Sequence, residues 1–233
     1  MNKNTENNKS AESLYLILAS VFVASLVSCN LIFQKFFQLD IWLPFIGTYT
    51  FEQSVGLLPY PITFLVTDII SEVYGQKRAN KVVTAGLFAS IFMLIIVTVS
   101  DMTQAASWSP VDDQTFSSVF GLSGAAVFAS MMAYLIAQYI DVRVFHFWKR
   151  LTNGKHLWLR NNASTMFSQF VDTFSVLFLL CLFDVIAWDR FSILLLNGFL
   201  FKVFFAAFDT PIAYGLIYFI RKKFGLKFGE EIH

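Results

Sequence analysis

The chain has 233 residues, 56% of them hydrophobic and 14% charged, with 28 Phe and a mean hydropathy of +0.60. Soluble domains carry nearer a quarter charged residues, so the composition excludes one and indicates an integral membrane protein. The net charge of +1 hides an uneven distribution; it says nothing of nucleic acid, whereas the placement of Lys and Arg bears on orientation.

Residues 1–13, rich in Asn with Lys3 and Lys9, read as a disordered cytoplasmic tail. The first apolar segment, about 14 to 36, contains Leu26-Val27-Ser28-Cys29, which mimics the cleavage box of a bacterial lipoprotein. The apolar run continues through Asn30-Leu31-Ile32-Phe33, however, and five more such segments follow, so an uncleaved span is expected. Those five lie at about 58–74, 82–100, 119–140, 162–187 and 191–220, giving six transmembrane helices over residues 14–220. Pro59 and Pro61 fall in the first turn of the second, where a missing N–H costs nothing. Residues 37–57, with Trp42, Pro44, Gly47 and Tyr49, could fold back over the bundle mouth or supply an interfacial aromatic belt. On the fourth segment Gly121, Ala125, Ala129, Ala133 and Ala137 form a smooth stripe, suited to a neighbouring helix or to a partner seam.

The tail, residues 75–81, residues 141–161 and the basic tail 221–233 hold 14 of the 17 Lys and Arg residues. Lys35 and Arg190 fall on the opposite side, where loop 101–118 has three Asp and no basic residue. The positive-inside rule therefore places both termini in the cytoplasm.

Asp68, Asp172 and Lys202 each fall about 10 residues into a segment, roughly 15 Å along a helix and near the bilayer midplane. A charge there costs at least ~2.5 kcal/mol and is expected to pair or to bind something. Asp68 and Glu72 share a helix face with Phe64 one turn away, and Thr165, Gln169, Asp172 and Thr173 make a polar stripe on the fifth segment. Asn30, Gln34, Gln138, Asp141 and Asp209 add polar groups nearer the ends, and a kink is expected at Pro211. For Asp141 and Asp209 a boundary salt bridge is the expectation. Internal bracing would account for any one of these residues, but two midplane carboxylates and Glu72 against one ammonium leave the interior negative unless a proton or a ligand balances it. Cys29 and Cys181 read as packing residues, and His146 and His156 lack zinc spacing. With no nucleophile elbow, phosphate loop or HExxH, nothing supports an enzyme, a cofactor or a metal.

Several motifs together resemble a known family. They are Tyr60-Pro61-Ile62-Thr63-Phe64-Leu65-Val66-Thr67-Asp68 running into Glu72-Val73-Tyr74-Gly75, Gln138-Tyr139-Ile140-Asp141-Val142-Arg143, Trp158-Leu159-Arg160-Asn161-Asn162 with Asp172-Thr173, and Phe201-Lys202. From about Ser28 to Gly215 the chain is similar to the queuosine precursor transporters, also called the vitamin-uptake-like family. The resemblance implies an all-α, six-helix inner-membrane carrier, similar in architecture to the substrate-binding subunits of energy-coupling-factor transporters. Its cargo would be a 7-deazaguanine precursor of the tRNA nucleoside queuosine. It carries functional roles over to Asn30, Asp68, Gln138, Asp141, Asp172 and Lys202, and less securely to Glu72.

The residues suit such cargo. The N1–H and 2-amino group of a 7-deazaguanine are parallel donors that Asp68 or Asp172 can accept, Lys202, Gln169 or Asn30 can donate to O6, and Phe64 or Tyr60 can face the ring. Another vitamin-like heterocycle, or a structural assembly subunit braced by these charges, are the competing readings. A homodimer and a separate energising module are the protein partners left open.

Overall fold

The computed structural model describes residues 3–44, 47–121, 124–153, 155–227 and 230–232, with the side chains of residues 3–8, 43, 124–130, 160, 161 and 165 left aside. Ala125 and Ala129 of the small-residue stripe, and the motif side chains Arg160, Asn161 and Thr165, thus lie outside the described residues. In chain order come α1 (Lys3–Ile32), strands β1 (Phe36–Leu43) and β2 (Gly47–Ser54), a 3-10 turn (Val55–Leu57), α2 (Tyr60–Val73) and α3 (Gly75–Asp101). A short α4 (Asp113–Phe120), α5 (Gly124–Leu151), α6 (Leu157–Leu182) and α7 (Trp188–Phe224) complete it. Among the described residues, Lys9–Ile32, Val55–Asp101, Leu157–Leu182 and Trp188–Phe224 are helical, long and apolar enough to cross a membrane. Their outward faces expose Phe88, Phe92, Phe204, Phe208 and Phe219, as lipid-facing surfaces do. The protein is a mainly helical, multi-pass membrane protein.

Helix α2 is the axis of the bundle. Eleven of its 14 residues are buried, and it packs against α1, α3, α5 and α7, while α5, α6 and α7 pack in succession. That enclosure accounts for a helix with Thr63, Thr67, Asp68, Ser71 and Glu72 in an apolar chain: each polar group faces protein, not lipid. Ala137 is fully buried where α5 meets its neighbours within the chain.

Several expected boundaries move. The tail expected to be disordered is helical from Lys3, and its inner end is tied down. The Tyr74 hydroxyl donates to the Ala11 carbonyl at 2.8 Å, and Arg78 pairs with Glu12 at 2.6 Å while lying over the Tyr15 ring. Residues 75–81, expected as a loop, are the first turns of α3. The helix breaks at Tyr74, next to Gly75, whose φ of +81° a side chain would resist. In the stretch expected as a loop, β1 and β2 pair antiparallel, Phe36 with Ser54 and Leu43 with Gly47, so the fold is not purely helical. The alternation Gln38, Asp40 and Thr48, Thr50, Glu52 between aromatic and aliphatic residues is the strand signal that an apolar-run reading passes over. Loop 101–118 holds the start of α4, capped by Asp112, whose Oδ1 accepts from the Thr115 N–H at 2.7 Å; hydrogen bonding by the Thr115 side chain first, and by its N–H second, holds the carboxyl below its usual range. α6 begins at Leu157 instead of 162, and α7 runs as one helix through Pro211.

Candidate functional site

The buried polar side chains lie in tiers along α2. Nearest the hairpin, Lys202 Nζ on α7 donates to Asp172 Oδ2 on α6 at 2.6 Å, and the Tyr60 hydroxyl donates to the same oxygen. The ammonium also lies 4.1 Å from the centre of the Tyr60 ring, a cation–π contact. Asp172 Oδ1 is buried, with no hydrogen-bond partner among the described residues. This group borders a cavity of about 150 Å³, small against the ~300 Å³ lower range of drug-sized sites. Asn30 and Cys29 of α1, Tyr134 of α5, Gly198 of α7 and Gln53 of β2 also line it. Asn30 Nδ2 is likewise buried without a partner among the described residues, so these two residues bring a donor and an acceptor to the cavity.

The hairpin packs over this end of the bundle. Tyr49 donates its hydroxyl to Asn197 Oδ1, Asn197 Nδ2 donates to the Glu52 carbonyl at 3.1 Å, and Arg190 pairs with Glu52 at 3.1 Å. Ser54 Oγ donates to the Phe33 carbonyl at 2.5 Å, fixing β2 to the end of α1. Gly56 then fits under Cys29 and Phe33, where a Cβ would meet the Cys29 carbonyl at 2.7 Å.

One tier further in, Gln138 Nε2 donates to the Tyr134 hydroxyl at 2.5 Å and to Thr63 Oγ1 at 3.4 Å, behind the clustered rings of Tyr60, Phe64 and Tyr134. Below it Asp141 accepts from Ser168 Oγ at 2.8 Å and is hydrogen-bonded to Ser164 and Asp68. Two carboxyl groups, Asp68 on α2 and Asp141 on α5, thus lie side by side in the bundle interior. At the end opposite the hairpin, Glu72 meets Arg221 at 2.5 Å and Lys149 at 3.6 Å.

Of the residues singled out from sequence, Asn30, Asp172 and Lys202 come together on the cavity. Phe64, Asp68, Glu72, Gln138 and Gln169 do not line it; Phe64 and Gln138 stand behind its aromatic wall, and Gln169 is buried, its Oε1 without a partner among the described residues. The expectation of three charges at one level is corrected: Asp68 belongs to the carboxyl pair, about 12 Å along α2 from Tyr60 by helical rise. Among the described residues no salt bridge is found for Asp141, which accepts instead from Ser168 Oγ. Among the described residues none is found for Asp209. Sequence reasoning missed Gln53, Tyr134 and Gly198. Tyr134 was within reach, one turn before Gln138 on the same face of α5.

A multi-pass helical membrane protein with a largely apolar cavity that carries the buried Lys202–Asp172 pair on its wall has the architecture of a carrier. Residues 54–216 match the model of a family described as "putative vitamin uptake transporter", and the chain belongs to that family; it is a transporter and not an enzyme. It is similar to the "Probable queuosine precursor transporter" of Bacillus subtilis (strain 168), with 26% identity over 69% of this chain and 70% of that one. The protein of the same name from Haemophilus influenzae is 24% identical over 91% of this chain and 88% of its own. The "Queuosine precursor transporter" of Escherichia coli (strain K12) is 30% identical over 55% of each. No solved structure matches the chain.

Proposed function

We propose that the chain imports queuosine precursors, 7-cyano- or 7-aminomethyl-7-deazaguanine or queuine, across the bacterial inner membrane for tRNA queuosine salvage. In this reading α1, α2, α3, α5, α6 and α7 cross the bilayer six times, with both termini in the cytoplasm on the strength of the Lys and Arg bias. The observation that carries it is Asp172 Oδ1, a buried acceptor with no hydrogen-bond partner among the described residues, on a cavity that the Lys202 side chain also lines. A deazaguanine supplies the missing donors from N1–H and the 2-amino group, while Asn30 Nδ2 or Lys202 donates to O6 and Tyr60 offers a ring face. A ring without those donors leaves the carboxylate unsatisfied, at a cost of ~1–3 kcal/mol. The names of the similar transporters support this cargo over other heterocycles.

The test is restoration of queuosine in tRNA of a strain that depends on supplied precursor. The intact chain restores it, whereas Asp172→Ala, present in the membrane at normal level, does not. Restoration by both Asp172→Ala and Lys202→Ala would place the cargo elsewhere. Competition by a panel of purines and vitamins separates this cargo from another vitamin-like heterocycle. Uptake by vesicles containing this chain alone, with and without a proton gradient, decides between a self-sufficient carrier and one needing an energising module.

A further inference from the structure

At the end of the bundle away from the hairpin lies a cleft of about 1070 Å³ whose walls carry Lys77, Arg78, Lys81, Lys149 and Arg150. The chain's own Glu230, Glu231 and Ile232 lie in it. Ile232 donates its N–H to the Val73 carbonyl at 2.7 Å, at the last residue of α2, and its side chain packs on the apolar core. Glu231 Oε1 lies 2.8 Å from Lys149 Nζ, and that ammonium also reaches the Glu72 carbonyl at 3.3 Å. The other carboxylate oxygen rests on Gly75, where a Cβ would lie 2.2 Å from it. Gly75 opens α3, and its N-cap residue Tyr74 gives no side-chain cap, so the carboxylate sits where the helix end favours an anion. A single C-terminal segment is thus fastened to the α2–α3 break and to α5, next to the Glu72–Arg221 pair that joins α2 to α7.

We propose that Glu230–Ile232 is a latch that holds this end of the bundle shut, and that opening toward this side requires its release. The inference rests on the transport reading only in that a carrier must open at both ends in turn. Four elements meet at the latch, and among the described residues only the hairpin makes a comparable crossing, at the cavity end. The ion pair between Glu231 and Lys149 is the part that a single substitution can undo.

The test measures access and needs no cargo. Ser71, fully buried one residue before Glu72, is changed to cysteine, and its labelling by a membrane-impermeant maleimide is followed by peptide mass in the full chain. The same measurement is made with Glu231→Gln and with the chain ended after residue 229. Labelling is expected to rise about fivefold or more in the shortened chain, as for two linked sites, and less in Glu231→Gln. A cysteine at Val83, also fully buried but away from the latch, is expected to label at one rate in all three backgrounds. Equal rates at residue 71 throughout, or a parallel rise at residue 83 showing general loosening, would overturn the latch. If the latch holds but queuosine precursors are not carried, the labelling result stands and only the cargo reading falls.

Discussion

Lys202 Nζ and Asp172 Oδ2 are 2.6 Å apart, with side chains 4% and 2% exposed, in a protein whose outer surface is apolar. Removing either partner leaves the other charge buried alone, at a cost of ~3–5 kcal/mol, whereas replacing both by apolar residues of similar volume is often neutral or better. Asp172→Leu and Lys202→Met singly should therefore lower the unfolding temperature, and the double variant should recover most of the loss. Transport should be lost in all three. A double variant that is stable and still carries cargo would show the pair to be a brace.

Tyr60 makes two separable contacts with this pair. Tyr60→Phe deletes the hydroxyl donated to Asp172 but keeps the ring beside Lys202, so it should cost ~1.5–3 kcal/mol, the range for hydrogen bonds to charged groups. Tyr60→Leu also loses the cation–π contact, a further ~0.5–2 kcal/mol. Denaturation in detergent of the two variants checks the order; equal losses would mean that the ring contributes nothing beyond its area.

How far the sequence carried can be judged from these same residues. Asp172, Lys202 and Asn30 were legible because a charge or amide deep in an apolar run is too costly to keep unless it pairs or binds. Asp68 was legible as buried but not as Asp141's partner. Residue spacing gives depth only from segment ends, and α6 starts five residues before the apolar run suggests because the polar residues Arg160, Asn161 and Asn162 are helical all the same. The hairpin was seen only as a loop able to cover the mouth, since two eight-residue strands carry no apolar run. Gln53 and Gly198 were invisible because their roles depend on the cross-chain approach of β2 to α7, which no local pattern encodes.

The Asp68–Asp141 pair is expected to share one proton, because two carboxyl groups side by side in a buried site disfavour double ionisation, with Ser168 donating to Asp141 as well. Asp68→Asn should keep a hydrogen bond, from amide to carboxylate, and leave the fold little changed. Asp141→Leu strips Ser168, Ser164 and Asp68 of a partner at once, and each buried group left unsatisfied costs ~1–3 kcal/mol. Infrared absorption from a protonated, buried carboxyl should be present in the intact chain and absent in Asp68→Asn. Its persistence there would assign the proton to another pair.

Gly56 and Gly198 both sit where the hairpin meets the bundle, but their obstacles differ in kind. A Cβ at Gly198 would lie 2.9 Å from Gln53 Nε2 and 3.1 Å from Thr173 Cγ2, and the flexible amide can swing away. A Cβ at Gly56 would meet the Cys29 carbonyl at 2.7 Å and the Phe33 Cα at 2.8 Å, and backbone cannot yield without moving the end of α1. Gly56→Ala should therefore fall at the upper end of the ~1–3 kcal/mol typical of overpacking, and Gly198→Ala at the lower end. Cavity occupancy should follow a different order, because in Gly198→Ala the displaced Gln53 side chain remains at the cavity wall. Gly198→Ala is expected to weaken cargo binding more than its stability loss suggests, measured as the ligand-induced rise in unfolding temperature. Equal stability losses at the two sites would mean that α1 yields as readily as a side chain.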